Sequence, residues 1–536
     1  MYNSPPDRGG VSHIGKKPNI LRACASLSQY DSYTPTNSTL VLYTSNCHIP
    51  YLSRSADPRE RIPGPPEAPM ALPAARALPP PLLALLAVLL ASAGVRPARS
   101  LAPPPAARLL LSRPAGGGGA AMAAAMTAAM AASPADGGGG DHRRPSTVVV
   151  AGAGIVGIAT AYYLARDHGI RCVVVDPTGG IAPAASGRAG GFLALDWNDH
   201  LPPLGRLARR SFALHAGLAG EGGLEGGAGT LMYRRLTCAA VAVGPGRAGS
   251  RRPAGRKLEG VEWADDVPEG GGEGGSGPGV LGVQSLGGED TIAQVHPRML
   301  CEALWAAAVD LAGSELRRGE VVGPVRADDD DGSGGGAGGG GLVGARLADG
   351  STVRADALLY ATGPWTRQGN GAISGVKYHS VVVPTPRVLT QSVFFSGCGD
   401  PEVYPRPDGT AYCCGFPDPP VRPVTERPGE EEVRPEAVRR IVDAVREASG
   451  GTAGTLGAEP DLAQACYLPS TPDGLPLMGA MGGGDGGGGC YVAAGHSCWG
   501  ILLGPGTGEA MAELIATGNG RTEHVDLGPF DPARFG

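Results

Sequence analysis

Three glycines with the spacing Gly-x-Gly-x-x-Gly stand at Gly152, Gly154 and Gly157. Between a strand and a helix, such glycines let the backbone approach a pyrophosphate, and the free N–H groups at the helix start bind its phosphates. Asp176 ends the next apolar run, where a carboxylate can accept hydrogen bonds from a ribose diol. The pattern predicts a dinucleotide site that takes an unphosphorylated ribose.

The elements that must position these residues surround them. Thr147–Ala151 is a continuous β-branched run, typical of a parallel strand buried on both faces. We predict a helix over Ile158–His168 with Gly169 as its C-cap, then a second buried strand over Arg171–Val175. Strand, glycines, helix, strand and acid follow the order of a βαβ unit. That order distinguishes the motif from a chance match in a chain with 89 glycines.

Composition excludes several classes of function. The 536 residues carry a net charge of −6, without a dense Lys/Arg cluster in the patterned region, so nothing favours nucleic-acid binding. The eleven cysteines are scattered without a CxxC pair, which indicates reduced thiols in an intracellular protein and no metal site. We interpret the adjacent Cys413 and Cys414 as strand residues that point to opposite faces.

The first 145 residues differ from the rest. Residues 1–69 have no sustained hydrophobic period, and residues 70–134 contain arginines but no acid, as organelle transit peptides do. The apolar stretch Leu82–Ala93 is shorter than the about 20 residues that span a bilayer. A secretory signal and plain disorder remain alternatives. We expect no integral membrane segment, and a plastid or mitochondrial location if residues 70–135 are a transit peptide, otherwise a cytoplasmic one.

Segments further along favour FAD over NAD. Ala185–Phe192 resembles the second phosphate- and flavin-contacting loop of the D-amino-acid oxidase/sarcosine oxidase (DAO) superfamily of flavoproteins. Ala355–Trp365 is similar to the strand that leads into the family's Ala-Thr-Gly-x-Trp. Thr471–Gly479 and Cys490–Ile501 resemble the family's C-terminal closure. The detail over Gly191–Trp197 is similar to a eukaryotic branch known only as FAD-dependent oxidoreductases.

The resemblance implies an α/β fold, with a Rossmann-like FAD-binding domain of glutathione-reductase-like topology and an inserted α+β substrate domain whose mixed sheet covers the flavin. We assign residues 146–232, 293–372 and 466–534 to the FAD-binding domain, and 233–292 and 373–465 to the inserted cap. Cap strands are expected at Val381–Val383, Ser392–Phe395 and Thr410–Cys414, with a hairpin turn at Tyr404–Gly409. Glycine-rich segments at 217–229, 268–279, 328–341 and 482–489 are expected to be disordered loops.

The implied cofactor is FAD, and the implied partners are a small-molecule substrate and oxygen. Gly495–Gly500 joins a strand to a helix, whose N-terminus can stabilise the anionic reduced flavin. The residues expected to contact the cofactor are Gly152, Ala153, Gly154, Ile155, Val156, Gly157, Asp176, Pro177, Ser186, Arg188, Ala189, Gly190, Gly191, Val322, Thr362, Gly363, Trp365, Cys466, Gly495, His496, Trp499, Gly500 and Ile501.

The resemblance also implies a reaction: hydride transfer from a carbon next to an amine to flavin N5, hydrolysis of the imine, and reoxidation by oxygen. Amino-acid-oxidising members commonly place an arginine where this chain has Leu468, which puts an amino-acid substrate in doubt. Arg406 could hold a carboxylate instead, although its turn favours a surface arginine. His496 could contact flavin or substrate, or only orient its own loop. Arg406 and His496 are the catalytic candidates.

Cys466 stands seven residues before Asp473, the spacing at which monomeric sarcosine oxidases carry the cysteine that bonds the flavin covalently. Such a bond needs a thiol of lowered pKa, and we favour a buried core thiol instead. Two alternative functions stay open. One is an FAD-bound regulatory or scaffold protein with little turnover. The other is an NAD-dependent dehydrogenase, which would leave Gly495–Ile501 unexplained.

Overall fold

The computed structural model describes residues 143–244, 260–263, 279–327, 341–396, 399–449, 454–482, 487–522 and 524–535. The region predicted to carry a targeting segment lies almost wholly outside these ranges, as do the glycine-rich segments at 268–279 and 328–341 except for their last residue, and what the sequence predicts for them stays a prediction. Of the segment 482–489, residues 483–486 lie outside the described ranges, whereas Gly487–Gly489 forms a 3-10 turn and not the expected disordered loop. Among the described residues, no helix is both long and apolar enough to cross a bilayer.

Six helices and nineteen strands build the part of the chain that the structure describes. The helices are α1 Ile155–His168, α2 Pro202–Ala219, α3 Gly227–Leu231, α4 Pro297–Ala312, α5 Pro435–Ser449 and α6 Gly500–Thr517. The strands are β1 Thr147–Ala151, β2 Arg171–Asp176, β3 Phe192–Ala194, β4 Arg234–Arg235, β5 Thr237–Gly244, β6 Gly279–Gly287, β7 Ile292–Gln294, β8 Glu315–Arg318, β9 Val321–Arg326, β10 Leu342–Leu347, β11 Thr352–Arg354, β12 Ala357–Tyr360, β13 Ser374–Pro384, β14 Gln391–Ser396, β15 Glu402–Pro405, β16 Thr410–Gly415, β17 Leu462–Ser470, β18 Leu477–Ala480 and β19 Cys490–Ala494.

The nucleotide-binding half is built on a six-stranded sheet in the order β18-β19-β12-β1-β2-β8. All its pairs are parallel except β18 with β19. Val148 and Val150 of β1 pack in the helical core, whereas Val149 and Ala151 pack against the small sheet β9-β10-β11. Because β1 is covered on both sides, its sequence is apolar without alternation. The predicted α/β fold and Rossmann-like arrangement are confirmed.

Helix α1 begins at Ile155, three residues before the predicted start, because the glycine turn leads directly into its first helical turn. It ends as predicted, with Gly169 in the left-handed conformation at φ 61°. Helix α6 lies close against it, since a Cβ on Gly504 would be 2.4 Å from Ile155 and one on Gly508 would be 2.6 Å from Ala159. Small residues therefore bring the two helices that flank the candidate site into backbone contact.

The cap is a seven-stranded mixed sheet in the order β17-β13-β16-β15-β14-β5-β6. Its pairs are antiparallel except β14 with β5, and the predicted hairpin joins β15 to β16. Helix α5 covers the outer face, where Cys413 packs, and Cys414 packs on the opposite face as predicted. The boundaries drawn at 465/466 and 292/293 fall inside β17 and β7, so the two halves share continuous strands there.

The glycine-rich segment 217–229 was expected to be disordered, and this is wrong. It contains the end of α2 and the start of α3. Leu218 and Leu224 are 4% and 6% exposed, and Leu231, just beyond the segment, is 1% exposed, so apolar residues among and next to the glycines anchor the segment to the core. Glycine content alone therefore overstates the disorder here.

Candidate flavin site

A cleft of about 790 Å³ runs along the carboxyl ends of the parallel strands. The last residues of β1, β2, β12 and β19 all line it, which is the edge where open α/β sheets bind their ligands. Predicted cofactor residues that line it are Gly152, Gly154, Ile155, Val156, Asp176, Pro177, Ser186, Ala189, Val322, Thr362, Gly363, Trp365, Gly495, His496, Gly500 and Ile501. The structure thus brings most of the predicted set to one continuous wall.

Two glycines at the start of the cleft have no room for a side chain. Gly152 has φ 106°, and a Cβ there would lie 2.4 Å from the carbonyl oxygen of Ala361. A Cβ on Gly157 would lie 2.2 Å from the carbonyl oxygen of Gly152. The turn therefore packs backbone on backbone, which leaves its outer side open to a ligand.

The predicted second loop meets the first at the N-terminus of α1. Ser186 Oγ accepts a hydrogen bond from the Ile155 N–H at 2.9 Å, and no acidic residue stands in the first helical turn. Asp176 is 4% exposed, and its carboxylate accepts bonds from the Ala153 N–H at 3.1 Å and from the Thr178 hydroxyl at 2.7 Å. The arrangement leaves a positive helix end facing the cleft, with a carboxylate beside it, as an ADP group requires.

A second helix N-terminus lines the same cleft, with Gly500 and Ile501. Gly495, at φ 88°, leads through a 3-10 turn into α6, whose first turn also holds no acid. His215 on α2 braces this turn, because its Nε2 lies 2.9 Å from the carbonyl oxygen of Ile501 and 3.2 Å from that of Leu502. Burial lowers the pKa of His215 to about 4, so the ring is neutral and Nε2–H donates.

His496 was one of the two catalytic candidates. It is 3% exposed, and its Nε2 lies 3.0 Å from the hydroxyl of Thr507, inside α6. Burial lowers its pKa to about 3, so the imidazole stays neutral at physiological pH. The geometry supports the alternative interpretation, in which His496 orients the loop that precedes α6.

Arg188, predicted to contact the cofactor, is instead held in an ion pair. Its guanidinium donates to Glu431 at 2.5 Å and to the carbonyl oxygens of Ala465 and Gly429 at 2.7 and 2.8 Å. The Glu431 side chain has no exposed surface, so the pair is sealed between the flavin loop and the cap. Arg188 is not among the residues that line the cleft.

Arg406, the other catalytic candidate, is not the surface residue that its turn suggests. It is only 8% exposed, because the β15–β16 hairpin packs under the flavin loop. Its guanidinium donates to the carbonyl oxygen of Ala189 at 3.3 Å and lies 5.7 Å from the ring centre of Tyr412. Its Nε meets no acceptor among the described residues. A buried guanidinium with a spare donor beside the flavin loop can receive an anion.

Cys466 and Leu468 lie on the same strand but in different surroundings. Leu468 lines the cleft, whereas Cys466 does not and is 4% exposed. Burial, with a smaller contribution from the Glu431 carboxylate, raises the pKa of Cys466 to about 12. The thiolate that a covalent flavin bond requires is therefore disfavoured.

Five further residues that were predicted to contact the cofactor are not among those that line the cleft, namely Ala153, Gly157, Gly190, Gly191 and Trp499.

Residues 422–428 of the cap form one wall of the cleft, and the sequence does not predict this wall. Two contacts fix it: Trp365 Nε1 donates to the carbonyl oxygen of Glu426 at 2.7 Å, and Lys377 Nζ pairs with the Glu426 carboxylate at 2.9 Å. Its residues follow no recognisable motif, so the sequence offers no signal for it.

Within the described ranges, no group of His, Cys, Asp and Glu side chains could hold a metal ion.

Comparisons with known proteins agree with this geometry. The family model described as "FAD dependent oxidoreductase" (DAO) matches residues 147–514. An oxidoreductase of Schizosaccharomyces pombe is 29% identical over 407 residues, which is 71% of this chain and 96% of that protein. The glycine oxidase of Bacillus licheniformis is 26% identical over 395 residues, 70% of this chain and 95% of its own.

The fold is shared with a solved structure. The crystal structure of glycine oxidase from Geobacillus kaustophilus superposes with a TM-score of 0.54 at 24% identity, covering 73% of this chain and 99% of that one. At this identity the likeness establishes the architecture.

Proposed function

The chain belongs to the DAO family of FAD-dependent oxidoreductases, and on that basis we propose that it oxidises a small amine or amino-acid-like substrate at the carbon next to nitrogen. When bound, FAD supplies the hydride acceptor for this chemistry. The protein has to hold the cofactor, position the substrate carbon and exclude water. Oxygen is the final electron acceptor in this proposal.

The presence of two helix N-termini on one cleft carries the proposal. The start of α1, with Ser186 and Asp176 beside it, fits the pyrophosphate and ribose of an ADP group. The start of α6 offers further N–H groups and a second partial positive charge on the same cleft, and such a charge would stabilise the electron density that accumulates on a reduced flavin ring. A nicotinamide dinucleotide would use the first site and leave the second without a role.

The surroundings of the second helix start suit hydride transfer without a titrating side chain. His496 is buried, neutral and hydrogen-bonded to Thr507, so it holds its loop and moves no proton. His215 fixes the carbonyl groups of the first α6 turn from below. Both histidines therefore keep the N–H groups of that turn in a constant direction.

The substrate side of the cleft bears on the choice between amines and amino acids. Leu468 lines the cleft and cannot bind a carboxylate. Arg406 is not among the residues that line the cleft, but it lies beside the Ala189 carbonyl of the lining, and its Nε has no acceptor among the described residues. The names of two relatives, both glycine oxidases, favour an amino-acid-like substrate. Arg406 is accordingly the residue that would hold such a carboxylate.

Anaerobic reduction of the bound flavin tests the proposal. Purified protein would be mixed with sarcosine, N-methyl amino acids, D-amino acids and simple amines, and bleaching of the flavin followed by its visible absorption. We expect at least one class to bleach it and to release hydrogen peroxide when air is admitted. A coloured protein that no amine reduces would favour the scaffold alternative. Leu468 supports that alternative, because it stands where amino-acid-oxidising members commonly have an arginine.

A further inference from the structure

On the inner face of the cap sheet, Glu402 has a carboxylate that forms no ion pair with any residue the structure describes. Glu402 opens β15, directly opposite Phe394 on β14 and Cys414 on β16. Opposed residues point to the same face of a sheet, and Phe394 and Cys414 belong to the core between the cap and the nucleotide-binding half. Glu402 therefore projects into the space between the two halves.

The hydrogen bonds of Glu402 engage only one of its oxygens. Its Oε2 accepts from the hydroxyl of Tyr404 and from the thiol of Cys414 at 3.5 Å. Among the described residues, Oε1 accepts no hydrogen bond and Glu402 forms no ion pair with a lysine, arginine or histidine. Burial raises its pKa, which is the cost of desolvating a carboxylate that has no cation beside it.

Aromatic residues lie next to this carboxylate, since Tyr404 donates its hydroxyl to it and Phe394 is its cross-strand neighbour. Phe192, Trp197, Phe394 and Tyr404 form what we term the aromatic cluster. The Phe394 ring lies 5.3 Å from that of Phe192, 5.1 Å from that of Trp197 and 5.5 Å from that of Tyr404. A cation between a carboxylate and aromatic faces is attracted both by the charge of the carboxylate and by the quadrupole of the rings.

The cluster connects Glu402 to the flavin loop. Phe192 directly follows Gly191, the last residue of that loop. A Cβ on Gly190 would lie 2.3 Å from the Tyr404 ring, so Tyr404 packs directly on the loop backbone. Glu402 lies two residues before Tyr404 in β15 and is not among the residues lining the cleft. A substrate group that pairs with its carboxylate therefore has to extend beyond that lining, away from the nitrogen that reacts.

We propose that Glu402 and the aromatic cluster form a subsite for a second, non-reacting ammonium group, so that the substrates of this enzyme are diamines or longer cationic amines. The proposal rests on the amine oxidation proposed above and specifies its substrate class. The reacting nitrogen lies in the cleft beside Leu468, and the distal ammonium extends between the rings to Oε1 of Glu402.

An α-amino acid satisfies this arrangement less well. Glu402 and Arg406 stand four residues apart, and a strand rises about 3.3 Å per residue, which separates their backbones by roughly 13 Å. Arg406 is in addition held at the Ala189 carbonyl oxygen and the Tyr412 ring, so we expect the ammonium of an amino acid bound by it to fall short of Glu402. An amino acid held by Arg406 would thus leave Glu402 unpaired, whereas a diamine pairs it.

Titration calorimetry of the flavin-loaded full chain tests the subsite. Putrescine carries the second ammonium, butylamine is its singly charged counterpart, and sarcosine represents zwitterions. We expect putrescine to bind at least about tenfold more tightly than butylamine, a modest value for a desolvated charge pair. Glu402→Gln keeps the size and the acceptor for Tyr404, and should abolish that preference. Glu302→Gln, on an exposed position of α4, should leave it unchanged.

Glu402→Asp provides a second test, because it retains the charge on a shorter side chain and should restore part of the preference that Gln removes. Equal affinity for putrescine and butylamine in the unmodified protein would overturn the inference, and so would a preference that survives in Glu402→Gln. The heat of binding is read independently of turnover. Failure of every amine to bleach the flavin would therefore count against the proposed reaction, and loss of the diamine preference alone against the subsite.

Discussion

The ion pair between Arg188 and Glu431 should be a main support of the flavin loop. Glu431→Ala removes a carboxylate that has no exposed surface and leaves the guanidinium, whose side chain is 18% exposed, without its counter-charge. Breaking a buried pair costs about 3–5 kcal/mol. Because Arg188 keeps its bonds to the carbonyl oxygens of Ala465 and Gly429 at 2.7 and 2.8 Å, we expect the lower figure, about 3 kcal/mol.

Flavin affinity should fall with stability, because Arg188 lies between Ser186 and Ala189, which both line the cleft. If about half of the lost energy appears as disorder of this loop, the FAD dissociation constant rises about tenfold. Urea unfolding measures the first quantity and fluorescence titration of the apoprotein with FAD the second. The double replacement Arg188→Met with Glu431→Leu should recover most of the stability, since it buries no unpaired charge.

A matched control is the exposed pair Arg171–Glu315, whose side chains are 38% and 65% exposed. Glu315→Ala should cost about 1 kcal/mol or less. If Glu431→Ala costs no more than this control, the reasoning about the buried pair is refuted. If Arg188→Met weakens FAD binding while stability is unchanged, Arg188 contacts the cofactor, as its sequence position suggests, and not the cap.

Three further outcomes follow from the same geometry. Gly157→Ala should weaken FAD binding about a hundredfold or more, because its Cβ would lie 2.2 Å from the Gly152 carbonyl oxygen. The control is Gly217→Ala, in α2 with open space around it, which should leave the affinity for FAD unchanged. The pKa of His215 is about 4 in the fold against 6.5 when free. The contribution of this residue to the free energy of unfolding is therefore full above pH 6.5 and falls by up to about 3 kcal/mol as the pH drops to about 4. In urea unfolding, His215→Gln should remove that loss, and an unchanged pH dependence of the variant would contradict the role given to His215. Acid precipitation should release the flavin into the supernatant equally from the unmodified protein and from Cys466→Ala, whereas colour retained only by the former would reveal a covalent bond.

The βαβ unit over Thr147–Asp176 could be predicted almost to the residue, because its signals are local. The glycine spacing, the apolar runs and Gly169 each determine backbone shape within a few residues. Only the first turn of α1 differs, since the structure starts the helix at Ile155. The C-terminal closure around Gly495 is equally local, and its strand and helix occur where the sequence predicts them.

The misjudged residues depend on partners far along the chain. Arg188 is fixed by Glu431, 243 residues later, and no feature near either residue signals the other. Arg406 is buried because its hairpin packs on a loop about 217 residues earlier. Helix α5, in contrast, has a local signal: Ile441, Val442 and Val445 form a buried stripe with helical spacing that can be read from the sequence.

The glycine-rich segment 217–229 shows the limit of composition as a guide. Its glycines suggest a disordered loop, but Leu218, Leu224 and Leu231 bury their side chains, and burying a leucine contributes about 1.5–3 kcal/mol. Three such anchors offset the greater backbone entropy that the glycines lose on ordering.

Anaerobic spectroscopy of the purified full chain tests the central claim most directly. Without added cofactor, the protein should show the visible absorption of oxidised flavin, and that absorption should bleach on addition of an amine and return with air. A colourless protein would contradict the assignment of the cleft to FAD. A coloured protein whose spectrum no amine alters would contradict the proposed oxidation while leaving the cofactor site intact.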